Sequence, residues 1–154
     1  MKAVEKSNGQ PVRVLGVEDN SVNQFVLKSI LELVGADFAI VENGEEAIAA
    51  WEQADWDMIL MDIQMPVMDG MDATREIRRR EALSGRSRTS IVAVTANVMS
   101  HQIDRYYVAG MDQFLPKPID IPRLHGVIAD SVKGGCSSAI APGVQGLAGP
   151  SFIL

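Results

Sequence analysis

Apolar runs that do not alternate with polar residues are separated along this chain by stretches whose apolar positions recur every three or four residues, and the two patterns take turns. The first pattern suits a strand covered on both faces, the second an amphipathic helix. Val12 to Val17 reads as the first strand. Asn20 or Ser21 can cap the helix that follows, which carries Val22, Phe25, Val26, Ile30, Leu31 and Leu33 and ends at Gly35. Phe38 to Val41 is a short second strand, and Asn43-Gly44 turns into a helix through Ala47, Ile48 and Trp51. Met58 to Met61 is an apolar run bounded by aspartates. After Pro66 and Gly70 a third helix carries Met71, Ala73, Thr74 and Ile77 and closes in Arg78 to Arg80. The polar loop Ser84 to Ser90 leads to a fourth strand at Ile91 to Val94 and a fourth helix at Val98 to Ala109. Phe114 and Leu115 form the core of a fifth strand, and Ile121 to Val132 is the last helix.

Five strand-helix units with short connections predict an α/β fold with a doubly wound parallel sheet. Ligands of such sheets gather beyond the carboxyl ends of the strands, at the topological switch point. After Lys133 the composition turns to Gly, Ala, Ser and Pro with no period until the apolar tip Phe152-Ile153-Leu154, so residues 134–154 read as a tail or linker and residues 1–11 as a shorter leader. With 154 residues, 47% hydrophobic and 22% charged, the chain fits one domain with a substantial core. Its net charge of -6 argues against general nucleic-acid binding and suits a bound cation. A single cysteine, Cys136, excludes an internal disulfide. No segment has the length and flanks of a signal peptide or a membrane span, so a reducing, cytoplasmic setting is expected.

The chemistry sits at the predicted strand ends. Glu18 and Asp19 follow the first strand, Asp62 the third, Thr95 the fourth and Lys117 the fifth. Taken singly, each has an ordinary reading: acids cap helix starts, aspartate favours turns, threonine favours strands and lysine is a solvated charge. Their coincidence at one edge of one sheet favours a phosphoryl-acceptor site. Asp62 ends an apolar strand and precedes a turn-rich loop, where its carboxylate can attack phosphorus and form an acyl phosphate. Two anions must then meet, and Glu18, Asp19 and Asp62 suit Mg2+, which takes few carboxylates and keeps several waters. Lys117 offers a second positive charge to the phosphoryl oxygens, and Thr95 a hydroxyl.

These residues lie in stretches that resemble the receiver domain of two-component response regulators, above all those attached to hybrid sensor histidine kinases. The stretches are Val14-Leu15-Gly16-Val17-Glu18-Asp19-Asn20, Leu60-Met61-Asp62-Ile63-Gln64-Met65-Pro66-Val67-Met68-Asp69-Gly70, Val94-Thr95-Ala96-Asn97 and Gly110-Met111-Asp112-Gln113-Phe114-Leu115-Pro116-Lys117-Pro118. The resemblance implies a flavodoxin-like strand order of 2-1-3-4-5 and a receiver domain over residues 12–133. It implies that Asp62 takes a phosphoryl group from a phosphohistidine on a histidine kinase or histidine phosphotransfer domain. The metal would be arranged by Glu18, Asp19, Asp62 and the backbone carbonyl of Gln64. Thr95 and Phe114 would be a switch pair that reports to a downstream protein on the face formed by the fourth helix, fifth strand and fifth helix. Gln64 and Asn97 occupy positions that tune acyl-phosphate lifetime, and Lys117-Pro118 matches the family's cis peptide.

Two alternatives are set beside this reading. A haloacid-dehalogenase-like phosphatase wants a second acid two residues after its nucleophile, where this chain has Gln64. A receiver-like scaffold would bind partners without phosphorylation, and the presence of the acids, Asp62, Thr95 and Lys117 disfavours it. Gly16, inside the first strand, marks either a close backbone approach or a local weakness. The arginines from Arg75 to Arg88 are read as structural rather than as a docking patch. His101 and His125 are read as surface or boundary residues away from the site, and Met61, Met65 and Met68 as core filling.

Overall fold

The computed structural model of the chain describes residues 5–134 except 7 and 66, with side chains as far as 131. The expected tail and Cys136 lie outside the described residues. Five strands, β1 (Arg13–Val17), β2 (Asp37–Val41), β3 (Met58–Asp62), β4 (Ser90–Thr95) and β5 (Gln113–Pro116), alternate with five helices, α1 (Ser21–Leu33), α2 (Gly44–Gln53), α3 (Gly70–Ser84), α4 (Ser100–Ala109) and α5 (Ile121–Gly134). All strand pairs are parallel and the order is β2-β1-β3-β4-β5, the flavodoxin-like arrangement expected from the sequence.

The unbroken apolar runs have a direct structural cause. Successive residues of a strand point to opposite faces, and here both faces are covered. Leu15, Ile59, Met61, Ile91 and Ala93 pack with Trp51 of α2, Ile77 of α3 and Tyr106 of α4. Their neighbours Val14, Met58, Leu60, Val92 and Val94 pack on the other side with Leu27 and Leu31 of α1 and Leu124 and Ile128 of α5.

Helix starts follow the expected chemistry. Asn20 caps α1, its Oδ1 accepting from Asn23 N at 3.0 Å, and Asn43 caps α2 by accepting from Glu46 N at 2.9 Å. Asp69 does the same for α3 through Asp72 N at 2.8 Å. Helix α4 begins two residues later than the apolar pattern predicts, and no side chain caps it at Met99.

Helix α1 departs from a simple amphipathic reading. Only Ile30 and Leu31 of the six apolar residues named for it are buried, together with Leu27. Val22 (68% exposed), Phe25 (71%), Val26 and Leu33 face outward. At 100° per residue these four lie on an arc that runs straight on from Ile30, so the helix carries one wide apolar arc of which the sheet covers only part.

Gly16 marks a close approach. A Cβ there would lie 2.7 Å from Ile40 Cδ1 and 2.8 Å from Leu27 Cδ2, so the missing side chain lets α1 and β2 crowd onto β1. The arginines are paired with acids; α3 runs on to Ser84 and has no basic residue in its last turn, so ion pairing rather than the helix dipole accounts for them. Arg75 meets Asp72, Arg79 and Arg80 meet Glu76, Arg80 also meets Glu52, Arg86 meets Asp55, and Arg88 meets Asp112. Arg78 is largely buried and binds Glu81, Asp112 and the Gly110 and Thr89 carbonyls, tying α3 to the start of β4 and to the turn before β5. Among the described residues no helix is long and apolar enough to cross a membrane.

Candidate functional site

The sheet ladder continues one residue beyond the strand ends, and this aligns the polar groups. Glu18 N donates to Val41 O at 3.0 Å, Ile63 N to Val94 O at 3.3 Å, and Lys117 N to Thr95 O at 2.8 Å. Glu18, Asp62, Thr95 and Lys117 are therefore held at one edge by backbone bonds that do not depend on their side chains. The order β2-β1-β3 puts the chain reversal of the sheet between β1 and β3, where Glu18 and Asp62 stand.

Glu18 (5% exposed) and Asp62 (4%) are buried while Asp19 is exposed, and one oxygen from each of the three lies within 4.8 Å of the others. Lys117 Nζ sits 3.3 Å from Glu18 Oε1 and 3.3 Å from Asp62 Oδ1. The Lys117-Pro118 peptide is cis, as the resemblance implies. Glu18 Oε2 accepts from Asn20 N at 3.2 Å, and Gln24 Nε2 donates to Glu18 O at 2.6 Å. Asp62 Oδ1 also accepts from Gln64 N at 3.3 Å. Among the described residues Asp62 Oδ2 has no hydrogen-bond donor.

Two buried carboxylates and one ammonium leave an excess of negative charge. Burial, and then the Glu18 carboxylate, push the Asp62 carboxyl up from 3.8 to about 6, against the downward pull of Lys117 and of the Gln64 N–H. Burial pulls the Lys117 ammonium down, but Asp62 and Glu18 together outweigh it and hold it above the usual lysine range. An arrangement of hard oxygens that is short of positive charge is the donor set a small divalent cation fits.

The loop after β3 is shaped around Asp62. A Cβ on Gly70 would run into the Asp62 backbone oxygen, so glycine is what lets α3 start against the strand end. Exposed Val67 in the same loop has φ 74°, a conformation rare for a β-branched residue and one that collects at functional loops. Gln64 is exposed beside it.

Thr95 is buried at the end of β4, and its hydroxyl faces α4 rather than Asp62. Thr95 Oγ1 accepts from Asn97 N at 2.9 Å and lies 3.1 Å from the hydroxyl of Tyr106, which itself donates to Asn97 O at 3.0 Å. Asn97 is exposed. Phe114 is half-buried against the core on the α2–α3–α4 side. A cleft of about 530 Å³ runs along this edge, lined by Asp19, Gln64, Thr95, Asn97, Arg105 and Tyr106 among others. His101 is exposed on α4 and neither histidine belongs to the acid cluster.

Tyr106 is the residue that the sequence pattern did not single out. Its signal was present: a tyrosine at a buried helical position must still place its hydroxyl on a partner.

The fold and this acid-lysine edge define a class of doubly wound α/β domains with a candidate cation site at the carboxyl ends of the strands, and the comparisons give it a family. Residues 14–129 match the response regulator receiver domain. Sensor protein GacS of Pseudomonas syringae pv. syringae is 40% identical over 132 residues, covering 82% of this chain and 15% of that protein. Hybrid signal transduction histidine kinases of Dictyostelium discoideum are also among the relatives, and this chain spans 8% of each. Among solved structures, the receiver domain of Saccharomyces cerevisiae Ssk1, co-crystallised with the histidine phosphotransfer signaling protein Ypd1, superposes with a TM-score of 0.77 at 30% identity, covering 81% of this chain and 91% of that one. The receiver domain of the sensor histidine kinase PA1611 from Pseudomonas aeruginosa PAO1, with a magnesium ion coordinated in its active site cleft, gives 0.72 at 37% identity, covering 80% and 98%. The chain belongs to the response regulator receiver domain family of two-component signalling.

Proposed function

We propose that this chain is a Mg2+-dependent phosphoryl-acceptor switch with Asp62 as the acceptor. The observation that carries this reading is the Asp62 carboxylate itself: buried at a strand end, one oxygen held by Lys117 and Gln64 N, the other without a donor among the described residues, and two further acids beside it. Asp62 Oδ2 attacks the phosphorus of a phosphohistidine. The new P–O bond gives an acyl phosphate as the P–N bond breaks, and its electron pair returns to the imidazole. Water attack on the same phosphorus later releases phosphate and restores the carboxylate. The chain catalyses only these steps on itself.

Glu18, Asp19, Asp62 and the backbone carbonyl of Gln64 would hold Mg2+, which when bound supplies the charge that lets the carboxylate and the phosphoryl oxygens approach. Lys117 orients one phosphoryl oxygen and Thr95 donates its hydroxyl to another. Gln64 and Asn97, both exposed beside the cleft, control the approach of the hydrolytic water.

The donor is a histidine kinase or a histidine phosphotransfer domain, and the outward face of α1 is where it docks. That helix begins two residues after Asp19, and its Val22, Phe25 and Val26 form an exposed apolar stripe flanking the acceptor edge. A partner seated there can present a phosphohistidine to Asp62 while covering apolar surface. The output face is α4-β5-α5, read by a protein target, with Thr95 and Phe114 as the switch pair. The setting is cytoplasmic.

Intact mass after incubation with acetyl phosphate tests the assignment. A gain of one phosphoryl group that needs Mg2+ and is absent in Asp62→Asn is expected. No gain in the wild type under any condition would overturn it in favour of a phosphorylation-independent scaffold.

A further inference from the structure

A phosphoryl oxygen can only accept hydrogen bonds, so Thr95 must offer it the single proton of its hydroxyl. That proton is already engaged. Tyr106 is 2% exposed, and its one hydroxyl proton is directed at Asn97 O at 3.0 Å. With the Tyr106 proton so directed, Thr95 donates across the 3.1 Å contact to the Tyr106 oxygen, a closer acceptor than Asn97 O at 3.4 Å. Asn97 N, at 2.9 Å, fills an acceptor position of Thr95 Oγ1, and the three residues form a directed chain that begins and ends on Asn97. Thr95, Asn97 and Tyr106 all line the cleft beside Asp19 and Gln64, so this chain borders the place where a phosphoryl group would stand.

We propose that Tyr106 is a positioning residue that holds the Thr95 hydroxyl away from the phosphoryl site and sets the threshold of the switch. The inference deepens the receiver reading and rests on it. One proton serves either the Tyr106 oxygen or the phosphoryl oxygen, so engaging the phosphoryl group breaks the tie between β4 and α4. Helix α4 has no side-chain cap at its start, and the hydrogen bonds at Tyr106 fasten its middle to the β4 end. Release of Tyr106 therefore transmits the event to α4 directly, by a route separate from rotation of Phe114.

The test is the affinity for beryllofluoride, a phosphoryl mimic, at saturating Mg2+, followed by fluorine NMR. Four proteins are compared: wild type, Tyr106→Phe, Thr95→Val and the double variant. Tyr106→Phe keeps the buried ring and removes the competing acceptor together with the bond to Asn97 O, so it is expected to bind about 2- to 10-fold tighter, the range of one hydrogen bond. The gain is expected to vanish in the Thr95→Val background, where there is no hydroxyl to release. Unchanged or weaker binding by Tyr106→Phe, or an equal gain with Thr95→Val, overturns the proposal while leaving the receiver reading intact. Absence of any binding by the wild type overturns both.

Discussion

Replacing Asp62 with asparagine is expected to make the metal-free domain more stable at neutral pH, although it removes the acceptor. Raising the carboxyl from 3.8 to about 6 means that its ionised form costs the fold about 3 kcal/mol. Asp62 is buried but stands at the open acceptor edge, so solvent screening trims this cost to about 2 to 3 kcal/mol. Below pH 3.8 the folded and unfolded chains both carry the proton and the cost is absent. Between pH 3.8 and 6 the folded chain retains a proton that the unfolded chain has lost, and wild-type stability falls by about 1.4 kcal/mol per pH unit from this group alone. Above pH 6 the full cost applies. Asparagine keeps the shape and an oxygen for Gln64 N, is neutral throughout, and leaves Lys117 paired with Glu18. The variant is thus expected to exceed wild type by about 2 to 3 kcal/mol at pH 7.5, roughly 10 °C in melting temperature for a domain of this size, and to match it at pH 3.5. Urea titration in EDTA at several pH values, followed by the fluorescence of Trp51 and Trp56, measures this. Saturating Mg2+ is expected to narrow the gap, because a cation bound to the folded acids stabilises the wild type by mass action. Equal or lower stability of Asp62→Asn at pH 7.5, or an advantage that persists at pH 3.5, would refute the reasoning.

Two further outcomes follow from the packing around the site. Gly70→Ala sets a methyl group against the Asp62 backbone oxygen and Met61, so a loss of about 2 kcal/mol or more in urea titrations is expected, with slower labelling by acetyl phosphate than the stability loss alone explains. Labelling at the wild-type rate would mean that the strand end tolerates the displacement. Arg78→Ala strips the buried Glu81 and half-buried Asp112 of their shared partner, and a loss of about 3 to 5 kcal/mol is expected from the charge left buried. A loss below 1 kcal/mol would show that water replaces the guanidinium.

Much of the architecture was legible because its signals are local. Runs such as Met58 to Met61 lack alternation because both faces of the sheet are covered, and the caps Asn20, Asn43 and Asp69 act within three residues of themselves. The acceptor-edge residues were also legible, since a parallel sheet brings the carboxyl ends of its strands to one side whatever the loops do. Boundaries shifted where no local group enforces them: α4 starts at Ser100, behind an uncapped Met99, and β4 runs on to include Thr95.

Helix α1 was harder, since an apolar residue in a helical pattern carries no mark of which side meets the sheet. Phe25 and Leu31 look alike in the chain; only packing against Val12, Val14 and Leu124 decides that Leu31 is buried and Phe25 is not. The same holds for Gly16, where the open choice between weakness and close approach was resolved by Ile40 and Leu27 arriving from other elements.

The order of residue types along the chain determined the fold class, the family and the candidate acids, hydroxyl and lysine, because strand covering, capping and sheet parity depend on near neighbours and on periodicity. The tertiary structure alone decided the relations between distant groups: the raised carboxyl of Asp62 beside Glu18, Lys117 poised 3.3 Å from both, and the Thr95 hydroxyl turned toward Tyr106. Those depend on burial and on distances of a few ångströms between residues far apart in sequence, and electrostatic and hydrogen-bond energies change steeply over such distances.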